Sequence, residues 1–196
     1  MTNIEIVFYL ALFTMFYPYV IYPLVLSWLV RWFEKPVPMH ESTPFISLII
    51  PAYNEENVIR KKIENTLTLD YPNDKFEILV GSDGSTDRTP EIIESFTDKR
   101  IRAYTFPERR GKPAVLSDLV NDSYGTLLIF TDASSLVNKQ AVRQIVYSFS
   151  SCDIGVVSGE LVPDTEGGEL SVMGAYRRCE NRLRRLESML HLSLIH

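Results

Sequence analysis

FISLIIPAYNEENVIRKKIENTLTLDYPNDKFEILVGSDGSTD, residues 45–87, is the stretch that decides the fold. It opens on an apolar run at 45–51 that proline closes, short enough to read as a buried strand. Residues 55–69 follow with Val58, Ile59, Ile63 and Leu67 at helical spacing, and FEILV at 76–80 is a second strand. Strand, amphipathic helix, strand is the pattern of a βαβ unit, whose two strands run parallel. The alternation continues outward. A helix at 89–96 carries Ile92, Ile93 and Phe96 on one face, and a weaker strand lies at 101–106. A helix at 111–121 has Pro113 in its first turn, where proline is tolerated. A strand at 126–130, a helix at 139–149 and a fifth strand from 154 to 157, able to run on to 162, complete the reading. The prediction is an α/β domain with a mostly parallel sheet flanked by helices.

Upstream, residues 6–30 contain no charged side chain. As a helix these residues reach roughly 37 Å, enough to cross a bilayer core of about 30 Å. Pro18 and Pro23 would kink it, which membrane helices tolerate. A secretory signal peptide fits poorly, because no Lys or Arg precedes the run and the run is too long. A buried soluble helix fits poorly on length. The expectation is a transmembrane anchor at 1–33, a proline-bearing linker at 34–44 and a globular domain at 45–196. Arg31 and Lys35 place that domain in the cytoplasm by the positive-inside rule, with a single pass through the inner or plasma membrane. The linker holds Pro36, Pro38 and Pro44.

Composition narrows the class. Twenty basic against twenty-five acidic residues give a net charge of −5, which argues against a general nucleic-acid binder. Cys152 and Cys179 cannot form a disulfide framework or a four-cysteine zinc site, and His40, His191 and His196 form no ligand pattern. In the cytoplasm both thiols would be reduced.

Parallel sheets bind ligands at the carboxyl ends of their strands. The first strand ends in Pro51-Ala52-Tyr53-Asn54-Glu55-Glu56, the second in Gly81-Ser82-Asp83-Gly84-Ser85-Thr86-Asp87, and the fourth in Thr131-Asp132-Ala133-Ser134-Ser135. Arg109-Arg110-Gly111-Lys112 adds cations where the third helix of the domain starts. Singly these are ordinary cap and turn residues: Asn54, Thr86 and Asp132 as caps, Asp83-Gly84 as a turn. Together they converge on one edge, which cap chemistry does not require. Carboxylates accept from a base N–H and ribose hydroxyls, and a carboxylate can hold a hard cation against a diphosphate. Lys112 brings a point charge and Gly111 a close backbone approach. No P-loop is present, since Pro113 follows Gly111-Lys112, and Gly81-x-x-Gly84 lacks the dinucleotide spacing.

These segments resemble the family 2 glycosyltransferases of GT-A fold, over about residues 45–190. PAYNEE resembles the family's first nucleotide-binding segment and DGSTD the segment whose first Asp contacts the base. Gly111-Lys112 resembles the segment lining the diphosphate, and Asp132-Ala133-Ser134 stands where the family carries its D-x-D site. The resemblance implies a nucleotide-sugar site of Pro51, Ala52, Tyr53, Glu55, Asp83, Gly111, Lys112 and Asp132, with Asp132 as ligand to Mg²⁺ or Mn²⁺. It implies inverting transfer from a nucleotide sugar, a UDP-sugar by expectation, to a glycan or lipid-linked acceptor in cell-surface polysaccharide synthesis.

The chain departs from the pattern twice. Ser134 replaces the second acid of D-x-D, and a hydroxyl is a weaker ligand for a hard cation. The family's general base, in an E-D type motif, and its Q-x-x-R-W type segment do not occur in the 196 residues. Glu160, Asp164, Glu166 and Glu169 are acids after the fifth strand, more in keeping with solvated surface than with a base. The expectation is a C-terminally truncated chain that binds donor and transfers sugar poorly. Residues 169–190 form a helix with Arg177, Arg178, Arg182, Arg184 and Arg185 beside an apolar stripe, packed on the domain or lying at a lipid surface. A nucleotidyltransferase and a non-catalytic membrane-anchored domain of the same fold are the competing readings. PAYNEE lacks the glycine-rich opening of the former; Ser134 keeps the latter open.

Overall fold

The computed structural model describes residues 2–33, 43–149 and 155–159. Most of the expected linker, Cys152, Glu160, Asp164, Glu166, Glu169 and the basic helix at 169–190 lie outside the described residues. The chain divides into two units, one holding the N-terminal helix and the other the sheet.

The N-terminal helix begins as α1, Asn3–Phe16. Thr2 caps it: its hydroxyl accepts from the Glu5 N–H, and the Glu5 carboxylate accepts from the Thr2 N–H at 2.9 Å. Glu5 is thus half of a capping box, not merely a flanking charge. A π-helical turn, Tyr17–Ile21, separates α1 from α2, Tyr22–Phe33. Pro18 and Pro23 explain it, because each removes an N–H and crowds the carbonyl one turn back. Wider i→i+5 bonding takes up the defect, with the Tyr22 N–H donating to the Tyr17 carbonyl. The continuous 30-residue helix, Asn3–Trp32, is long and apolar enough to cross a membrane.

The other unit is a four-stranded parallel sheet in the order β3-β2-β1-β4. The strands are β1 Ile46–Ala52, β2 Phe76–Asp83, β3 Ile101–Phe106 and β4 Leu127–Phe130. The helices between and after them are α3 Ile59–Leu67, α4 Thr89–Glu94, α5 Lys112–Asn121 and α6 Ala141–Ser148. The period of two along β1 sends Ile46, Leu48, Ile50 and Ala52 to one face, where they pack with Ile59, Ile63, Ile92, Ile93, Val142 and Val146. Ile49 and Leu79 point to the other face, against Val115 and Leu119 of α5. Helices therefore cover both faces, and each fully buried aliphatic side chain stabilises the sandwich by about 1.5–3 kcal/mol. The chain runs from β1 outward to β3 and then returns to the other side of β1 as β4. That reversal puts a crevice at the carboxyl ends of β1 and β4.

Beyond shifts of one or two residues at element ends, three differences from the sequence reading bear on the site. Helix α3 begins at residue 59, not 55, after a turn in which the Glu55 carbonyl accepts from the Val58 and Ile59 N–H groups. Strand β2 runs on through Gly81 and Ser82 to Asp83. A Cβ on Gly81 would stand 2.8 Å from Val115 Cγ1, so α5 requires a bare backbone there. The fifth strand is not formed by residues 155–159, which carry no strand pairing, while residue 154 lies outside the described residues.

Candidate active site

The carboxyl ends of β1 and β2 are joined by a set of hydrogen bonds between their loops. The Asn54 N–H donates to Ser85 Oγ at 3.1 Å, and the Thr86 N–H donates back to Asn54 Oδ1 at 2.9 Å. The Glu55 N–H donates to Thr89 Oγ1 at 2.8 Å, and the Glu56 N–H to Asp87 Oδ2 at 3.1 Å. Asn54 makes this possible with φ of 53°, a left-handed conformation that asparagine tolerates. Asn54 and Thr86 are not helix caps. They are partners across two loops, which accounts for polar side chains in both segments.

Asp83 ends β2 and is buried, at 4% exposure. Its two oxygens accept from the N–H groups of Arg110 and Gly111, each at 2.8 Å. Gly84 follows with φ of +62°, and a Cβ there would stand 2.4 Å from the Arg109 nitrogen. The Asp83-Gly84 pair is therefore the seat on which residues 108–111 rest. Each carboxylate oxygen has a second lone pair, so Asp83 keeps accepting capacity beyond these two bonds. Gly111, at φ of +90°, turns the chain into α5.

Lys112 opens α5 and reaches Asp132, with Nζ to Oδ1 at 2.5 Å; both side chains are more than half exposed. Arg109 stacks over the Tyr53 ring at 4.1 Å. Arg110 is held by Asp118 at 2.5 Å and lies over Phe106. The three neighbouring cations thus have different partners. Ala52 is buried in the sheet and Pro51 is half-buried opposite Gly81, so these two shape the floor through backbone. The Glu55 carbonyl accepts from Val58 and Ile59 and starts α3.

The structure therefore brings Asp83, Gly111, Lys112 and Asp132 into one contiguous chain of contacts, with Tyr53 joined to it through Arg109. Donors for a cation are Asp132 and the Ser134 hydroxyl beside it, and no group of three His, Cys, Asp or Glu residues gathers among the described residues. Such a set fits Mg²⁺ or Mn²⁺, which commonly bind one or two carboxylates plus substrate phosphates.

One residue escaped the sequence reading. Lys62 of α3 is fully buried, and its ammonium donates to Thr131 Oγ1 at 2.6 Å and to the Ser135 carbonyl, on either side of Asp132. Burial pushes it down to about 8, a shift that the Asp132 charge partly offsets. The signal was its phase: Lys62 follows Ile59 by three and precedes Thr66 by four, on the buried stripe.

The profile of glycosyl transferase family 2 matches residues 47–190. The chain belongs to glycosyl transferase family 2. Among curated glycosyltransferases of this kind it is 34% identical over 123 residues to a probable glycosyltransferase, YdaM, of Bacillus subtilis. That match covers 58% of this chain and 29% of the relative. It is 29% identical over 131 residues to a beta-monoglucosyldiacylglycerol synthase of Nostoc, covering 65% of this chain and 28% of that protein. The chain spans less than a third of the length of either relative. Among solved structures, a mannosyltransferase from Pyrobaculum calidifontis in complex with GDP-Man and Mn²⁺ superposes with a TM-score of 0.62 at 29% identity. That superposition covers 72% of this chain and 44% of the neighbour. The sheet is accordingly that of a GT-A glycosyltransferase.

Proposed function

We propose that this family 2 glycosyltransferase binds a nucleotide sugar, a UDP-sugar by expectation, across the carboxyl ends of β1, β2 and β4. It would serve transfer of the sugar to a glycan or lipid-linked acceptor at a membrane. The observation that carries the reading is the run of contacts from buried Asp83 through Gly111 to the Lys112–Asp132 pair. The Pyrobaculum neighbour, complexed with GDP-Man and Mn²⁺, supports the donor class and the metal.

In this reading Tyr53 and Asp83 flank the base, and the 110–112 backbone faces the diphosphate. The Lys112–Asp132 ion pair is exposed and cheap to open. Lys112 turns to the phosphates, where an ammonium stabilises the charge left on the departing group. Asp132, with Ser134 next to it in sequence, would hold Mg²⁺ or Mn²⁺, which would neutralise diphosphate charge. Transfer with inversion forms the bond from the acceptor oxygen to the anomeric carbon as the bond to phosphate breaks. The acceptor's proton passes to a base. The apolar helix at 3–32 would act as a single-pass membrane anchor for a cytoplasmic domain, with residues 34–44 as linker, in polysaccharide synthesis at the inner or plasma membrane.

Thermal shift with UDP-glucose, UDP-GlcNAc and GDP-mannose, each with and without Mn²⁺, tests the reading. A ligand that binds only the folded state raises the melting point by mass action. Stabilisation by a nucleotide sugar that weakens in Lys112→Met and Asp132→Asn is expected. No stabilisation by any of them would refute it, and a response to nucleoside triphosphates alone would favour a nucleotidyltransferase.

A further inference from the structure

We propose that Lys62 is a positioning residue of the nucleotide-sugar site, an ammonium set beneath the 131–135 turn that fixes where Asp132 stands. The proposal rests on the donor-site reading above. Lys62 lies on the face of α3 that also buries Ile59, Ile63 and Thr66, and none of its surface reaches solvent. Lysines are almost never fully buried unless paired, because removing an ammonium from water is costly. No carboxylate stands within ion-pair distance of Lys62 among the described residues; its acceptors are a hydroxyl and a carbonyl.

Both acceptors lie in the turn that carries the candidate metal ligand. Thr131 precedes Asp132, and Ser135 closes the turn by donating its N–H to the Asp132 carbonyl at 3.2 Å. The Thr131 N–H in turn donates to the Ile49 carbonyl of β1. The turn is thus held from the sheet by backbone and from α3 by the ammonium.

Fastening alone does not call for a buried charge. One turn along α3, Asn65 ties the same connection with neutral bonds, Nδ2 to the Val137 carbonyl and the Val137 N–H to Oδ1. What distinguishes Lys62 is its charge and its place under Asp132. The ammonium donates on both sides of Asp132 at once, to Thr131 and to Ser135, and so holds the backbone that aims the carboxylate. Lys112 approaches Asp132 from the solvent side, and Lys62 holds the turn that carries it from the core.

The test uses the full chain in detergent, with Lys62→Met, which keeps the stem, and Thr131→Val, which removes one acceptor without entering the core. Exposed Lys61→Met is the control. Two quantities are read: amide exchange across 131–135, and the affinity of UDP and GDP with and without Mn²⁺. The expected result is faster exchange in the turn and loss of about tenfold in Mn²⁺-dependent affinity for Lys62→Met, as for residues that orient metal ligands. Thr131→Val shows a smaller loss, Lys61→Met none, and metal-free affinity is unchanged in all. An unchanged Mn²⁺-dependent affinity, or an equal loss with and without Mn²⁺, overturns the proposal. If Lys62→Met does not fold, Thr131→Val decides by the same criteria. A wild-type chain that binds neither nucleotide removes the donor-site reading and this proposal with it, an outcome distinguished by the wild-type arm alone.

Discussion

Replacing Asp83 by Asn tests the joint between the second strand and the diphosphate segment. The native carboxylate is 4% exposed and accepts two backbone N–H groups at 2.8 Å. Asparagine keeps one acceptor and turns an NH₂ toward the other N–H, donor against donor. The lost bond leaves a buried N–H unsatisfied at about 1–3 kcal/mol, and the surviving bond falls from charge-assisted to neutral strength. Relief from burying a charge offsets part of this, for a net loss of about 2–3 kcal/mol. At roughly 4 °C per kcal/mol for a domain of this size, the melting temperature falls by about 10 °C. The assay is thermal unfolding of the full chain in detergent, with amide exchange read at residues 110 and 111. Both amides lose protection while those of β1 keep theirs. A melting temperature within about 2 °C of wild type, with both amides still protected, would refute the claim that Asp83 seats this segment.

Three further outcomes follow from the same geometry. Gly84→Ala forces a left-handed φ on alanine and drives a Cβ to 2.4 Å from the Arg109 nitrogen, so it costs about 2 kcal/mol or more in chemical denaturation; a neutral result contradicts the packing. Lys112→Met leaves stability within about 0.5 kcal/mol, because its ion pair is exposed, but weakens nucleotide-sugar affinity about tenfold or more in calorimetry. Lys62 is held to about 8 against 10.5 when unfolded, so above pH 8 the native chain binds fewer protons than the unfolded one. Native stability therefore rises by about 1 kcal/mol per pH unit between pH 8 and 9.5, below the tyrosine range, and the penalty is fully present below pH 8. Urea titrations of Lys62→Met show this rise flattened; equal slopes in the two proteins would contradict the assignment.

Much of this architecture is legible in the sequence. The runs at 45–51 and 76–80 are largely apolar, as strands covered on both sides tend to be, and their two polar residues, Ser47 and Glu77, are buried as a hydrogen-bonded pair. The amphipathic spacing of α3 and the proline in the first turn of α5 mark two of the helices that connect the strands. The start of α3 is not legible, because apolar spacing continues smoothly through Val58 while residues 55–58 form a turn that precedes the helix. Gly81 and Ser82 fall outside the apolar run at 76–80 because neither is apolar, yet the strand continues through them, and the bare backbone of Gly81 makes room for Val115 and Leu119. At the site, Asp83, Lys112 and Asp132 could be assigned to one sheet edge from topology alone, but not the fact that Asp83 grips backbone and Asp132 grips Lys112. Lys62 was hidden by Lys61. Two adjacent lysines read as a solvated helix face, and only the turn above the second reveals why it is buried.

The most direct test of the account is the position of Mn²⁺ in crystals of the full chain grown with a nucleotide sugar, located by its anomalous scattering. The account predicts one Mn²⁺ within coordination distance of the Asp132 carboxylate and the diphosphate oxygens, with the Lys112 ammonium turned onto phosphate. A nucleotide sugar seated with its diphosphate away from residues 110–112 and 132 would contradict it.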